Sequence, residues 1–464
     1  MSNRVGATKC VTWALGAGCL LAACGTSPLK AGRDAAPADA AGLAEVGAAV
    51  DAGAAPDTGA GTDARVDAGA SADAGTVPTD GRPYTALAMT VGVEHACALL
   101  DNHRVKCWGF NRNGELGLGD GFRRGSIPAE MGNALPFVDL GTGRTATAIA
   151  AGGETTCAIL DDGSVKCWGL GDLTGQPSPD NKGDDPNEMG DALPPLDLGA
   201  GRKAVLITLS STDACAILDD GTARCWGAHA PARVPTPVAL GSTSPVRALA
   251  PSWPGLTVLF ADGHVGGLLG QPIPPEWGQG IAAIDGAGPT NLDNGGPTGG
   301  TECAILTDGT ILCSYIDPPG SLIEGATFLT EYPKLFQTVT PPPPALAIGI
   351  STPTCILAKG GAVQCGYYPC QDLACTPDWC QSLASGPDEV GPILVNFGHP
   401  AVAISSGAQD FTCALLSNGA VRCFGLSLPN VPNDELGSSF DFMETGGVYS
   451  YGAFHDIDLG EVVE

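Results

Sequence analysis

Seven times along the chain a small or hydroxyl residue and three apolar residues lead into a polar turn, usually Asp or Asn followed by Gly, and a second short β-run follows. The clearest copies run from Cys97-Ala-Leu-Leu to Cys107-Trp108-Gly109, from Cys157-Ala-Ile-Leu to Cys167-Trp168-Gly169 and from Cys215-Ala-Ile-Leu to Cys225-Trp226-Gly227. Later copies start at Cys303, Cys355 and Cys413, and a degenerate one starts at Thr257. Short apolar runs punctuated by glycine turns read as β-hairpins, and self-similarity at this period implies a repeat architecture.

Counting outward from the turn Asp161-Asp162-Gly163 places Ile159 opposite Val165, Ala158 opposite Lys166 and Cys157 opposite Cys167. A three-residue hairpin loop ending in Gly suits a type I turn plus bulge, since Gly accepts positive φ cheaply. Opposed residues lie about 4.5–5.5 Å apart at Cα, within disulfide reach. The same offset recurs in Cys97/Cys107, Cys215/Cys225, Cys303/Cys313, Cys355/Cys365 and Cys413/Cys423, which predicts six cross-strand bridges. In the degenerate copy Thr257 and Gly267 stand at both cysteine positions, and loss of the two together favours paired bonding. A Cys-x9-Cys hairpin without histidines lacks the usual zinc spacing. Each closed loop would contribute roughly 2–3 kcal/mol in the chain-entropy account.

The repeat starts are 60, 58, 42, 46, 52 and 58 residues apart, leaving room for two further strands beside each hairpin, as in Phe137–Gly141 and Thr145–Ala151. About four strands per unit, seven times over, predict an all-β, seven-bladed β-propeller. Asn111-Arg112-Asn113-Gly114-Glu115-Leu116-Gly117-Leu118-Gly119-Asp120 after Cys107-Trp108-Gly109 resembles the repeat of the regulator of chromosome condensation family, as does Val138-Asp139-Leu140-Gly141 leading to Ile149-Ala150-Ala151-Gly152. The resemblance spans roughly residues 83–464 and is strongest in the first two or three repeats. It implies that His95, where the family repeat often has His, bonds to backbone. The first repeat lacks a preceding Val-Asp-Leu-Gly element, and the chain ends with Asp456-Ile457-Asp458-Leu459-Gly460. This predicts a ring closed by a C-terminal strand that completes the first blade, so that no edge stays open.

The front of the chain changes character. Arg4 and Lys9 precede a short apolar run, Val11 to Ala23, too brief to span a bilayer as a mature helix. Its end, Leu21-Ala22-Ala23-Cys24-Gly25, resembles a bacterial lipoprotein lipobox, which implies a signal peptide over 1–24, lipidation of Cys24 and, from the Gly after it, outer-membrane sorting. Export agrees with disulfide-rich usage. Residues 25–82 are almost entirely Ala, Asp, Gly, Pro, Ser and Thr without aromatics, and read as a disordered tether.

The chain carries a net charge of −28, of which about −25 falls on residues 83–464. So acidic a ring is a poor phosphate binder, which argues against nucleic acid. The eukaryotic namesake of the repeat is a guanine-nucleotide exchange factor for a small GTPase, an activity that export and acidity disfavour here. The six histidines lie in separate segments, and no nucleophile elbow, zinc-protease motif or phosphate loop occurs. The acidic stretch Asp180 to Glu188 does not follow EF-hand order and reads as an inter-strand loop. Trp108, Trp168 and Trp226 occupy matched positions and read as inter-blade packing. Tyr367, Tyr368 and Trp379, in a loop with the surplus cysteines Cys370, Cys375 and Cys380, form a candidate partner-binding knob.

The expectation is a monomeric, lipid-anchored envelope propeller that binds or scaffolds another protein, contacts the membrane only through its lipid, uses no cofactor or metal and performs no catalysis. A carbohydrate- or matrix-binding adhesin and a propeller-hosted hydrolase are the alternatives.

Overall fold

The computed structural model describes residues 82–252, 255–270, 273, 277, 280–287, 300–309, 311–316, 327–331, 345–349, 354–366, 393–395, 398–407, 411–425 and 457–459. The signal segment, the tether, Cys24 and the loop holding Tyr367, Tyr368 and Trp379 lie outside these residues.

Seven antiparallel meanders follow one another along the chain. The first comprises β1 (Ala86–Val91), β2 (His95–Leu100) and β3 (Val105–Gly109). The inner strands of the others are Ala146–Gly152, Ala204–Leu209, Val246–Ser252, Ile281–Ala287, Ala345–Gly349 and Ala401–Gly407. Each inner strand neighbours the next, and the seventh returns to β1, so the sheets close into a seven-bladed ring.

Every inner strand begins with a bulge, between Ala86 and Ala88, Ala146 and Ala148, Ala204 and Leu206, Val246 and Ala248, Ile281 and Ala283, Ala345 and Ala347, and Ala401 and Ala403. A bulge steepens strand twist, which a radial array of sheets requires.

The hairpin register follows the turn count: Cys157 faces Cys167, Ala158 faces Lys166 and Ile159 faces Val165. Bonds join Cys97–Cys107, Cys157–Cys167, Cys215–Cys225 and Cys413–Cys423, with Cα separations of 4.0–4.1 Å, a little closer than expected of opposed strand residues. Cys303 and Cys355 are also disulfide-bonded, and the residues facing them are Cys313 and Cys365.

The core lies between blades. β2 and β3 are buried along their whole length, because sheets on both sides cover them. Cys97, Leu99 and Val105 of the first blade pack with Ile149, Ala158 and Trp168 of the second, and Ile159, Val165 and Leu173 pack with Ile207, Ala216 and Trp226 of the third.

In the fourth blade Thr257 faces Gly267. Its buried hydroxyl donates to Glu302 Oε1 of the fifth blade at 2.8 Å, so a side-chain hydrogen bond across the seam stands where other blades carry a disulfide within the sheet. We expect Thr257→Cys with Gly267→Cys to form a seventh bridge, detectable by thiol counting. The gain of about 3 kcal/mol from loop closure is offset by leaving a buried Glu302 oxygen without its Thr257 donor, roughly 1–3 kcal/mol, so the melting temperature should move little. A rise as large as the cross-link alone predicts would show that the Thr257 bond contributes nothing.

The terminal segment differs from the sequence expectation. Val138 N donates to Val105 O and Leu196 N to Val165 O, so the Val-Asp-Leu-Gly element is the outer edge of the blade before it. In the same way Ile457 N donates to Val421 O at 2.8 Å. The C-terminal segment therefore extends the seventh blade and docks on the first, instead of completing the sheet of the first. It still closes the ring, with Ile457 and Leu459 buried in one cluster with Tyr84, Trp108 and Leu415.

Candidate functional site

One device holds two of the seams, built from a buried lysine, a glycine and an aspartate. At the first seam Lys166 Nζ donates to Leu140 O and Gly190 O at 2.9 and 2.8 Å, and Gly190 N donates to Asp139 O. At the closing seam Lys106 Nζ donates to Gly132 O and Leu459 O at 2.7 and 2.8 Å, and Gly132 N to Asp458 O. Gly132 and Gly190 have φ of +63° and +65°, and a Cβ on either would collide with the aspartate it faces, so only Gly fits. Lys106 also lies 4.7 Å from the Phe137 ring centre, and Tyr84 meets Phe137 edge to face. Burial pulls the Lys106 ammonium down to about 8, against the opposing pull of Asp458. In the third blade an arginine, Arg224, stands at the position of the lysine and donates to Pro235 O within its own blade.

The tryptophans join blade to blade: Trp168 Nε1 donates to Glu115 O at 3.0 Å and Trp226 Nε1 to Leu173 O at 2.8 Å. His95 bonds to a side chain, not to backbone as expected. Its Nε2 lies 2.8 Å from Thr156 Oγ1 of the second blade, and that hydroxyl donates onward to Glu115 O. The direction of this relay makes Nε2 the protonated nitrogen, leaving Nδ1 buried and without a hydrogen-bond partner.

Burial lowers the His95 pKa to about 4. An imidazole whose folded pKa lies below its unfolded value of about 6.5 stabilises the fold above that value, and the contribution fades as pH falls from 6.5 to 4. We expect wild-type protein to lose about 3 kcal/mol across that window relative to His95→Gln, measured by urea melts at each pH. Parallel curves for the two proteins would remove His95 from the acid response.

Two loops pack beside each other on the face carrying the connections to β2. The first leaves Gly109 and returns through a bridge between Gly109 and Arg124; the second leaves Gly169 and returns through Gly169 and Lys182. Asn113 donates to Glu154, Asn181 donates to Asn113, and Gly119 N donates to Gly183 O. Lys182 pairs with Glu188 at 2.8 Å, which accounts for the acidic stretch as an internally bonded loop.

The bridges put the two loops in register, with Phe122 equivalent to Asp180, Arg123 to Asn181 and Ile127 to Asp185, while Arg112 matches Asp172 counted from the hairpins. Phe122 is 72% exposed. Its turn is tied down by Asn111 Nδ2 to Asp120 O and Phe122 O, by Phe122 N to Asp120 Oδ1 and by Arg124 Nη2 to Asp120 Oδ2. Hairpin periodicity could not find this display, because it lies between repeats. Aligning the two loops position by position would have shown the switch from acids and amide to an aromatic and arginines.

Shifted titratable groups are dispersed. Burial pushes Asp285, on the inner strand of the fifth blade, up to about 7 and raises Glu115 in the first. His229 Nδ1 lies 2.6 Å from the buried Asp213 carboxylate in the third blade. Among the described residues no group of three His, Cys, Asp or Glu side chains could hold a metal. No described helix is long and apolar enough to cross a membrane.

The repeat of the regulator of chromosome condensation (RCC1) matches residues 88–115 and 146–175. Among curated proteins, the ultraviolet-B receptor UVR8 of Arabidopsis thaliana is 34% identical over 80 residues, which is 17% of this chain and 16% of that protein's length. Human WBSCR16 has 13% identity and a TM-score of 0.47, covering 69% of this chain and 84% of that one. Prp20p of Saccharomyces cerevisiae has 15% identity and a TM-score of 0.46, covering 82% and 88%. The propeller assignment rests on the chain's own seven closed sheets.

Proposed function

Starting from a chain built on RCC1-type repeats, we propose that this protein is an exported, lipid-anchored propeller that binds another protein at the cell envelope and catalyses no reaction. The observation that carries the reading is the Phe122 turn: a large apolar side chain, 72% exposed, held on a hydrogen-bonded loop of a closed, disulfide-braced ring. Exposed aromatics on rigid supports are the groups that anchor protein interfaces, because little conformational freedom is lost on binding. Export is supported by the oxidised hairpins, and the lipobox-like sequence assigns the anchor to Cys24. Prp20p, described with binding to Gsp1p and histones, gives a precedent for protein binding by such a ring; the partner here would be an envelope protein.

The test joins two readouts on the full chain. Radiolabelled palmitate should be incorporated by wild type and not by Cys24→Ala, and capture in mild detergent should retain one protein that also binds as a purified pair. Retention of glycans alone would overturn the reading in favour of an adhesin.

A further inference from the structure

We infer that the turn carrying Phe122 is a docking site for an acidic, apolar-bearing peptide segment of the partner; the inference rests on the protein-binding reading above. The repeat supplies its own control. The second blade makes the same return bridge, through Gly169 and Lys182 instead of Gly109 and Arg124, with Asp180 and Asn181 at the positions of Phe122 and Arg123. Folding of the loop therefore does not require an aromatic or an arginine at these positions. Ile127, 47% exposed, likewise matches Asp185, and Arg112 matches Asp172.

Charge decides which partner fits. Arg124 is neutralised by Asp120 at 2.7 Å. Arg112 and Arg123 are exposed and join none of the ion pairs among the described residues. On a chain of net charge −28, Arg123 follows the exposed phenyl ring directly, and Arg112 follows Asn111, whose amide holds the Phe122 carbonyl, so two guanidinium groups outside any ion pair among the described residues belong to this turn. Carboxylates of a partner would take bidentate bonds from Arg112 and Arg123 while an aliphatic or aromatic side chain covers Phe122 and Ile127. A basic segment is drawn instead toward the neighbouring acidic loop with Asp180 and Asp185, and is repelled here.

The test uses the full chain and a swap that installs residues the second blade already tolerates, Phe122→Asp with Arg123→Asn. The probes are a fluorescent peptide of alternating Glu and Leu, its Lys and Leu counterpart, and phosphatidylglycerol vesicles. The acidic peptide should bind wild type in a salt-sensitive way and bind the swapped protein at least tenfold more weakly, with the melting temperature unchanged. Equal binding to both proteins, or preference for the basic peptide, would overturn the proposal. Loss of vesicle binding in the swap without any peptide binding would assign the turn to an anionic lipid surface instead. If the swapped protein still captures the envelope partner undiminished, the docking site falls while the protein-binding reading stands.

Discussion

Deleting residues 453–464 is expected to lower the melting temperature of the entire ring, although the segment lies at the very end of the chain. Ile457 and Leu459 are 6% and 4% exposed and pack with both the first and the seventh blade. Removing a buried Ile or Leu side chain costs about 2–5 kcal/mol each, so the pair accounts for roughly 5 kcal/mol or more. At about 1.3 °C per kcal/mol for a ring of roughly 380 residues, the midpoint should fall by roughly 6 °C or more. Lys106 loses the Leu459 carbonyl at the same time, leaving a buried ammonium short of an acceptor. Ile457→Ala with Leu459→Ala separates packing from chain length and should reproduce most of the fall in a calorimetric scan. A midpoint within 2 °C of wild type for both variants would mean that the ring does not depend on this closure.

Reduction of the disulfides should have the larger effect. The bonds at Cys97–Cys107, Cys157–Cys167, Cys215–Cys225 and Cys413–Cys423 each close a loop with a separation of ten residues, and Cys303 and Cys355 are bonded as well. In the chain-entropy account one such loop contributes about 3 kcal/mol. Six together equal or exceed the whole stability of a typical domain, roughly 5–15 kcal/mol. Cys157→Ala with Cys167→Ala should therefore destabilise measurably, and full reduction should unfold the ring near 25 °C. Trp108, Trp168 and Trp226 are fully buried, so their emission should shift to the red as reductant is added. Blue emission and a cooperative melt in full reductant would show that inter-blade packing alone holds the ring.

The hairpins were legible because their information is local. A ten-residue offset and a glycine turn determine that Cys157 meets Cys167 without reference to the rest of the chain. The number of blades followed by counting, and paired loss at Thr257 and Gly267 marked the exceptional blade. What replaced the missing bond was not legible, since Glu302 lies 45 residues away in another repeat. The partner of His95 is illegible in the sequence for the same reason: its acceptor, Thr156, is brought near only by ring packing. The Phe122 turn has no signature in the repeat, because it is made of residues by which the repeats differ.

By itself the sequence determined the β-hairpin as the unit, its register, its disulfides and the count of seven, all consequences of neighbours along the chain and of the two-residue strand period. Tertiary structure decided how units share elements. A Val-Asp-Leu-Gly segment sits between two hairpins, and periodicity is blind to which of them it joins. The bonds from Val138 to Val105 and from Ile457 to Val421 settle that it extends the blade before it. Only the closed ring, where the C-terminal segment on the seventh blade meets the lysine and glycine of the first, gives the last residues of the chain their place.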